Sequence, residues 1–209
     1  MSDPIELPTP PALLEVLEES RRFGFLGPGP VGPQVHHADG FVAAAGGEPD
    51  SFLDLGSGGG LPGLVLAVRW PGARGVLLDS MVRRTEFLAE AVERLGAAGR
   101  VRVVCARAED AARTDLRGSF ALVTARSFGP PSATAECATG LLRAGGLLVV
   151  SEPPTADPSR WDAAGLEDLG LALEGEAGTD ARFVCIRKVG DHERWPRRSG
   201  VPTKRPLWS

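Results

Sequence analysis

From residue 50 onward, short apolar runs alternate with longer segments whose apolar residues recur at helical spacing. "GVLLD" at 75–79, "VRVVC" at 101–105 and "LLVV" at 147–150 are apolar at nearly every position, as expected of strands covered on both faces. The pattern predicts strands at 51–55, 75–79, 101–105, 119–125, 145–151 and 181–188, with a weaker one at 171–176. Helices are predicted at 61–69, 81–95, 131–143 and 158–168. Strand alternating with helix argues for a doubly wound α/β sheet. Ahead of it, "LLEVLEESRRFGFL" suits a short amphipathic helix with Leu13, Leu14, Leu17 and Phe23 inward. "GPGPVGP" reads as a turn, and "QVHHADGFVAAAGG" as a second helix stopped by Gly46 and Gly47. These readings divide the chain into a helical extension at 1–47, an α/β domain at 48–190 and a tail at 191–209. No internal repeat is visible.

The chain has 209 residues, 43% of them apolar, enough for one well-buried domain with a small appendage. No apolar run approaches the roughly 20 residues of a membrane span, and Met1 to Pro11 lacks the basic-then-apolar order of a signal peptide. A soluble, cytoplasmic monomer is the expectation. Cys105, Cys137 and Cys185 are odd in number and widely spaced in apolar surroundings, which suits reduced core thiols. His36, His37 and His192 make no metal-ligand spacing with them, so no metal site is expected. The net charge of -4 hides an asymmetry, because residues 181–209 hold eight Arg or Lys against Asp191 and Glu193. A segment so basic is either a solvated tail or the docking face for an anionic partner.

"FLDLGSGGGLPG", residues 52–63, places five glycines in eight positions behind the first predicted strand. Such a turn lets a ligand reach main-chain N–H groups without a Cβ in the way, at the positive end of the next helix. The phosphate-loop pattern fails, since no Lys lies in this region. Gly58, Gly60 and Gly63 satisfy the dinucleotide spacing, but that frame starts late relative to a strand ending at Leu55. Read from Asp54 and Gly56, the string resembles motif I of class I S-adenosylmethionine-dependent methyltransferases. That resemblance implies that the turn meets the methionine part of the cofactor. Asp79, at the end of the second strand, then accepts the vicinal ribose hydroxyls, for which a two-oxygen carboxylate is suited. Its alternative role is to cap the next helix, which Ser80 could also do. In "CARAED", Ala108 would present small surface and an N–H to adenine, with Glu109 or Asp110 accepting from its amine. "VTARSFGPP" occupies the acceptor position after the fourth strand. It offers no Tyr and no obvious base, which favours an acceptor atom with an exposed lone pair.

"DLGSGGGLPG", "LLDSMVRRTEFL", "RAED", "TARSF" and "WPRRSGVPTKRPL", in this order over residues 35–207, resemble the bacterial 16S rRNA (guanine-N7) methyltransferase family called RsmG or GidB. The resemblance implies a class I, Rossmann-like fold with about seven mostly parallel strands, S-adenosylmethionine as cofactor, and 16S rRNA or a 30S assembly particle as partner. It assigns Gly56, Ser57, Gly58, Leu61, Asp79, Ser80, Ala108, Glu109 and Arg126 to the cofactor site, with Arg126 also positioning the reacting groups. It assigns Arg83, Arg107, Arg197, Arg198, Lys204 and Arg205 to RNA. His36 and Asp39 match a His-x-x-Asp helix, best read as a helix-to-core hydrogen bond. Two departures touch substrate recognition. Ser151-Glu152 stands where the family has Lys-Gly, and "FGFLGPGPVGP" replaces an Asn-Leu-Thr segment.

Overall fold

The computed structural model describes residues 8–178 and 181–208. The first seven residues of the predicted extension, and Ser209 of the predicted tail, lie outside the described residues. Two helices open the chain, α1 (Pro11–Arg22) and α2 (Val31–Ala44). The α/β region follows as β1 (Ser51–Leu55), α3 (Gly63–Arg69), β2 (Arg74–Asp79), α4 (Val82–Arg94), β3 (Val101–Cys105), α5 (Ala108–Ala111), β4 (Phe120–Ala125) and α6 (Pro131–Leu141). Then come β5 (Leu142–Glu152), α7 (Ala163–Asp168), β6 (Leu171–Ala177), β7 (Arg182–Lys188) and α8 (Val201–Lys204).

One sheet of seven strands runs in the order β3-β2-β1-β4-β5-β7-β6. β1 to β5 are parallel, and β7 enters antiparallel between β5 and β6. This is the class I methyltransferase sheet that the sequence implied. The chain reverses its direction of spread between β1 and β4, so the loops at the carboxyl ends of these two strands diverge and leave a crevice. Every residue of β1 is buried, which explains why its sequence shows no alternation.

The extension belongs to the core. Leu13, Val16, Leu17 and Ser20 form the buried stripe of α1, at the i, i+3, i+4, i+7 spacing of one helical face. The predicted Leu14 and Phe23 lie off that stripe, and Phe23 is 52% exposed. Ser20 Oγ donates to the Gly59 carbonyl at 2.7 Å, tying α1 to the glycine-rich turn. α2 starts at Val31, inside the predicted turn, because Pro33 falls in its first helical turn where a missing N–H costs nothing. It docks through Phe41, whose ring lies 4.8 Å from that of Phe183 on β7. Gly40 lets the same ring approach, since a Cβ there would collide with it.

The tail also packs. Trp195 and Pro196 are buried, and the Trp195 indole N–H donates to the Asp168 carbonyl at 2.9 Å. α6, rich in Ala, Thr and Ser, is buried on every side because sheet and tail cover it from opposite faces. Cys137 lies within it, and burial pushes its thiol well above the usual range. Cys105, expected in the core, is exposed because β3 is an edge strand. No described helix is long and apolar enough to cross a membrane.

Candidate functional site

Two cavities open side by side along the carboxyl ends of the parallel strands. The first, about 260 Å³, lies over β1, β2 and β3 and is lined by Gly56, Asp79, Ser80, Arg84, Arg107, Ala108 and Glu109 among others. The second, about 290 Å³, lies over β4 and β5 and is lined by His37, Arg126, Glu152, Arg160 and Trp161 among others. Ser127, Phe128 and Gly129 line both, so the loop after β4 is the partition between them.

The glycine-rich turn serves two purposes. Gly56, with φ of +73°, starts the turn in a left-handed conformation, and a Cβ on it would come within 2.7 Å of the Phe128 ring. Gly63 is bare for internal packing, since a Cβ there would lie 2.6 Å from Asp54 Oδ2 and would collide with Leu77. Ser57 points back into the strand end, its Oγ donating to the Asp54 carbonyl at 2.9 Å. Leu61 is buried in the core and lines neither cavity.

Asp79 is buried at the end of β2. Its Oδ2 accepts the Gly58 N–H at 2.9 Å, and its Oδ1 accepts the Met81 N–H at 2.9 Å. The carboxylate therefore fixes the turn and the start of α4, and still has acceptor sites facing the cavity. Arg84, which the sequence reading passed over, brings Nη1 within 3.6 Å of Asp79 Oδ2 and lines the cavity. Arg83, one residue earlier, lies 6.0 Å over the Phe25 ring and lines neither cavity, so the residue facing this cavity is Arg84. Ala108 starts α5 at the cavity wall, beside exposed Arg107. Glu109 is buried and accepts the Gly200 N–H at 2.7 Å, while Thr203 of α8 joins the lining. The tail, which the sequence reading assigned to RNA, thus also borders this cavity through Thr203.

Asp54 sits beneath the crevice, fully enclosed. Its Oδ1 accepts from Thr124 Oγ1 at 2.9 Å and its Oδ2 from the Gly63 N–H at 3.1 Å. Burial outweighs these bonds and the nearby Arg126 charge, and pushes the carboxyl up to about 6. A folded-state value above the unfolded one adds stability at low pH that is lost as pH rises through the folded value. Between pH 4 and 7 this group alone should cost about 2 kcal/mol. Asp54→Asn has no such titration, so its melting midpoint should gain on the wild type across that window. Parallel curves would contradict this assignment.

In the second cavity Arg126 Nη1 and His37 Nε2 are buried without a hydrogen-bond partner among the described residues. Burial lowers both values, with the Arg126 charge and His36 adding to the effect on His37. Arg126, to which the sequence reading gave both a cofactor-site role and the positioning of the reacting groups, lines the second cavity and not the first. His37 is missed by the motif reading, which selected its neighbour. Its position four residues before buried Phe41 sets it on the flank of the docked helix face. Asp39 pairs with Arg69 through Nε at 2.8 Å and Nη2 at 3.1 Å, the expected helix-to-core contact. Glu152, side chain 4% exposed, is held by Arg160 Nη1 at 2.9 Å and Trp161 Nε1 at 3.1 Å. Among the described residues no group of three or more His, Cys, Asp or Glu could hold a metal ion.

Of the eight basic residues after position 180, Arg182, Arg187, Lys188, Arg194 and Arg197 pair with Glu176, Glu174, Asp191, Asp168 and Glu136. Arg198, Lys204 and Arg205 are exposed and make no ion pair among the described residues. Arg197, assigned to RNA by the resemblance, pairs with buried Glu136 inside the fold.

A family model described as rRNA small subunit methyltransferase G matches residues 37–152. The ribosomal RNA small subunit methyltransferase G of Thermotoga sp. (strain RQ2) is 36% identical over 165 residues, covering 75% of this chain and 72% of that protein. That of Syntrophomonas wolfei is 34% identical over 166 residues, covering 74% and 76%. Among solved structures, an O-methyltransferase from Bacillus cereus in complex with SAH superposes with a TM-score of 0.62 at 18% identity, covering 88% of this chain and 93% of the other. An O-methyltransferase from Streptomyces achromogenes in complex with SAM gives 0.61 at 18% identity, covering 89% and 93%. At that identity the superpositions establish the fold alone.

Proposed function

Because the chain belongs to the rRNA small subunit methyltransferase G family, we propose that it methylates N7 of a guanine in 16S rRNA, using S-adenosylmethionine. The observation that supports this reading most is the pair of cavities sharing one loop, with room for a cofactor on one side of Ser127–Gly129 and for an acceptor on the other. The residues of the first cavity fit the cofactor: a bare Gly56, a half-used carboxylate on Asp79, and a small wall at Ala108. When bound, S-adenosylmethionine supplies an electrophilic methyl group on a charged sulfur. Asp79 accepts the ribose hydroxyls, and the Ala108 N–H and Glu109 border the adenine.

Guanine N7 carries a free lone pair, so the chain's task is to align it and exclude water rather than to remove a proton. His37 and Glu152 are groups that could act as bases, yet an N7 acceptor leaves both free to bind. Arg126 holds the acceptor through its unpartnered Nη1. Arg83, Arg107, Arg198, Lys204 and Arg205 are exposed cations that would meet phosphate.

Incubation with labelled cofactor and undermethylated 30S particles or naked 16S rRNA should yield label in 7-methylguanosine at one site. Label in no guanosine from either substrate would overturn the reading. Combined replacement of Arg198, Lys204 and Arg205 by Ala should weaken RNA binding and reduce the salt-dependence slope by about 3, one per lost phosphate contact. An unchanged slope would remove these residues from the RNA surface.

A further inference from the structure

We propose that Glu152 reads the base to be methylated, accepting the N1–H and N2 amine of guanine while N7 faces the loop shared with the cofactor cavity. The inference rests on the guanine reading above and names the group that selects the base.

Glu152 closes β5 and lines the acceptor cavity. Trp161 Nε1 donates to its Oε1, and Arg160 Nη1 donates to its Oε2. An ionised carboxylate has about four acceptor sites, so these bonds use one on each oxygen and leave one on each. Trp161 has no second N–H, and the Arg160 N–H bonded to the carboxylate is the one on Nη1, so one acceptor site on each oxygen is left to a ligand. A flat ligand that brings two donors side by side fills both at once.

Guanine's Watson–Crick edge does this, with N1–H next to the N2 amine. Adenine and cytosine each present a ring acceptor there, and uracil a single N–H between two carbonyls. A base swung out of its stack is read along this edge in other enzymes that act on nucleobases. The remaining groups agree with this orientation. Arg126 follows Ala125, which pairs with Val150 in the β4–β5 register, so Arg126 and Glu152 project from neighbouring strand ends. In guanine, O6 lies between N1 and N7, so the unpartnered Arg126 Nη1 is suited to O6 once Glu152 holds N1–H. N7 is then the next atom along, on the side of Ser127–Gly129. The carboxylate where the family has Lys-Gly thus gains a role, and Arg160 returns a cation to that corner of the cavity.

The test compares guanosine with inosine, which lacks only the N2 amine. Once the methylated position is mapped with the wild-type protein, RNA is ligated carrying inosine at that position, and kcat/KM is measured for both substrates. The wild type should lose about tenfold on inosine. Glu152→Gln presents an amide N–H where an acceptor is needed, so its activity on guanosine should fall about tenfold and its inosine penalty should shrink to within about twofold. Glu152→Asp should restore part of the discrimination. S-adenosylhomocysteine affinity, read by calorimetry, should be unchanged in Glu152→Gln, since Glu152 does not line the cofactor cavity. An equal inosine penalty in wild type and Glu152→Gln would overturn the proposal and leave Glu152 as an anchor for Arg160 and Trp161. Absence of a penalty in the wild type would overturn it without any variant. A wild type that labels no guanosine would instead sink the guanine reading, and this inference with it.

Discussion

Replacing Asp79 with Ala should weaken S-adenosylhomocysteine binding by two to three orders of magnitude, on the order of 4 kcal/mol. The vicinal hydroxyls of a ribose are two donors, and a hydrogen bond to a charged acceptor contributes about 1.5–3 kcal/mol. Asp79 is placed to give two such bonds from the buried end of β2. A second effect adds to the first. The same carboxylate holds the N–H groups of Gly58 and Met81, so its removal loosens the turn that forms the opposite wall. Asp79→Asn separates the two contributions, since it keeps one acceptor oxygen and the volume of the side chain; its loss should be about one order of magnitude smaller. Calorimetric titration of wild type and both variants measures this directly. Affinity within threefold of the wild type in Asp79→Ala would mean that the nucleoside does not sit over β2, and would reopen the dinucleotide frame built on Gly58, Gly60 and Gly63.

Asp79 was legible in the sequence because its position follows from the strand before it. "GVLLD" is buried on both faces, so its apolar run stops where the sheet stops, and the first polar residue lies at the carboxyl edge. The same reasoning found Gly56, which follows the end of β1, whereas Arg126 after β4 came from the family resemblance. The acceptor cavity was not legible because its parts come from elements with no such ordering. His37 comes from α2, Glu152 from β5, and Arg160 and Trp161 from the turn beyond it, with no fixed spacing between them. The family resemblance marked Ser151-Glu152 as a departure touching substrate recognition, but nothing in "EPP" itself shows how the carboxylate is held. Only the Trp161 indole N–H and the Arg160 guanidinium turned toward it reveal that the carboxylate is enclosed. The helical start at Val31 was hidden for a local reason, since prolines in a first turn look like a loop until the helix beyond them is seen.

In the tail the sequence showed the charge but not its pairing. Eight cations after position 180 suggest a solvated tail or a face for an anionic partner, but the acids that pair with five of them lie far back or just alongside in the sequence. Glu136 is separated from Arg197 by 61 residues and sits in a helix of small residues that has no charged face. Charge counting along a segment cannot register such pairing. The three cations left exposed still make the surface basic, so the expectation of an anionic partner survives with fewer residues behind it.

Arg197→Ala should therefore act on folding before it acts on RNA. Glu136 is 0% exposed, and it accepts the Arg197 backbone N–H at 2.8 Å, Nε at 2.9 Å and Nη2 at 2.7 Å. Truncating the arginine leaves an enclosed carboxylate with one of those three bonds, a change that costs about 3–5 kcal/mol when a buried pair is broken from one side. For a chain of this length the melting midpoint should fall by roughly 10 °C. Arg198→Ala, which removes an exposed cation, should shift it by less than about 2 °C. Adding Glu136→Gln to Arg197→Ala should recover part of the loss, because the stranded charge is gone. The consequence reaches the cofactor cavity, since the segment anchored by Arg197 carries the Gly200 N–H to Glu109 and brings Thr203 into the lining. Cofactor affinity should then fall in Arg197→Ala while the RNA salt slope stays at the wild-type value. If the midpoint holds and the slope instead drops by about one, Arg197 is a phosphate ligand and the Glu136 contact is incidental.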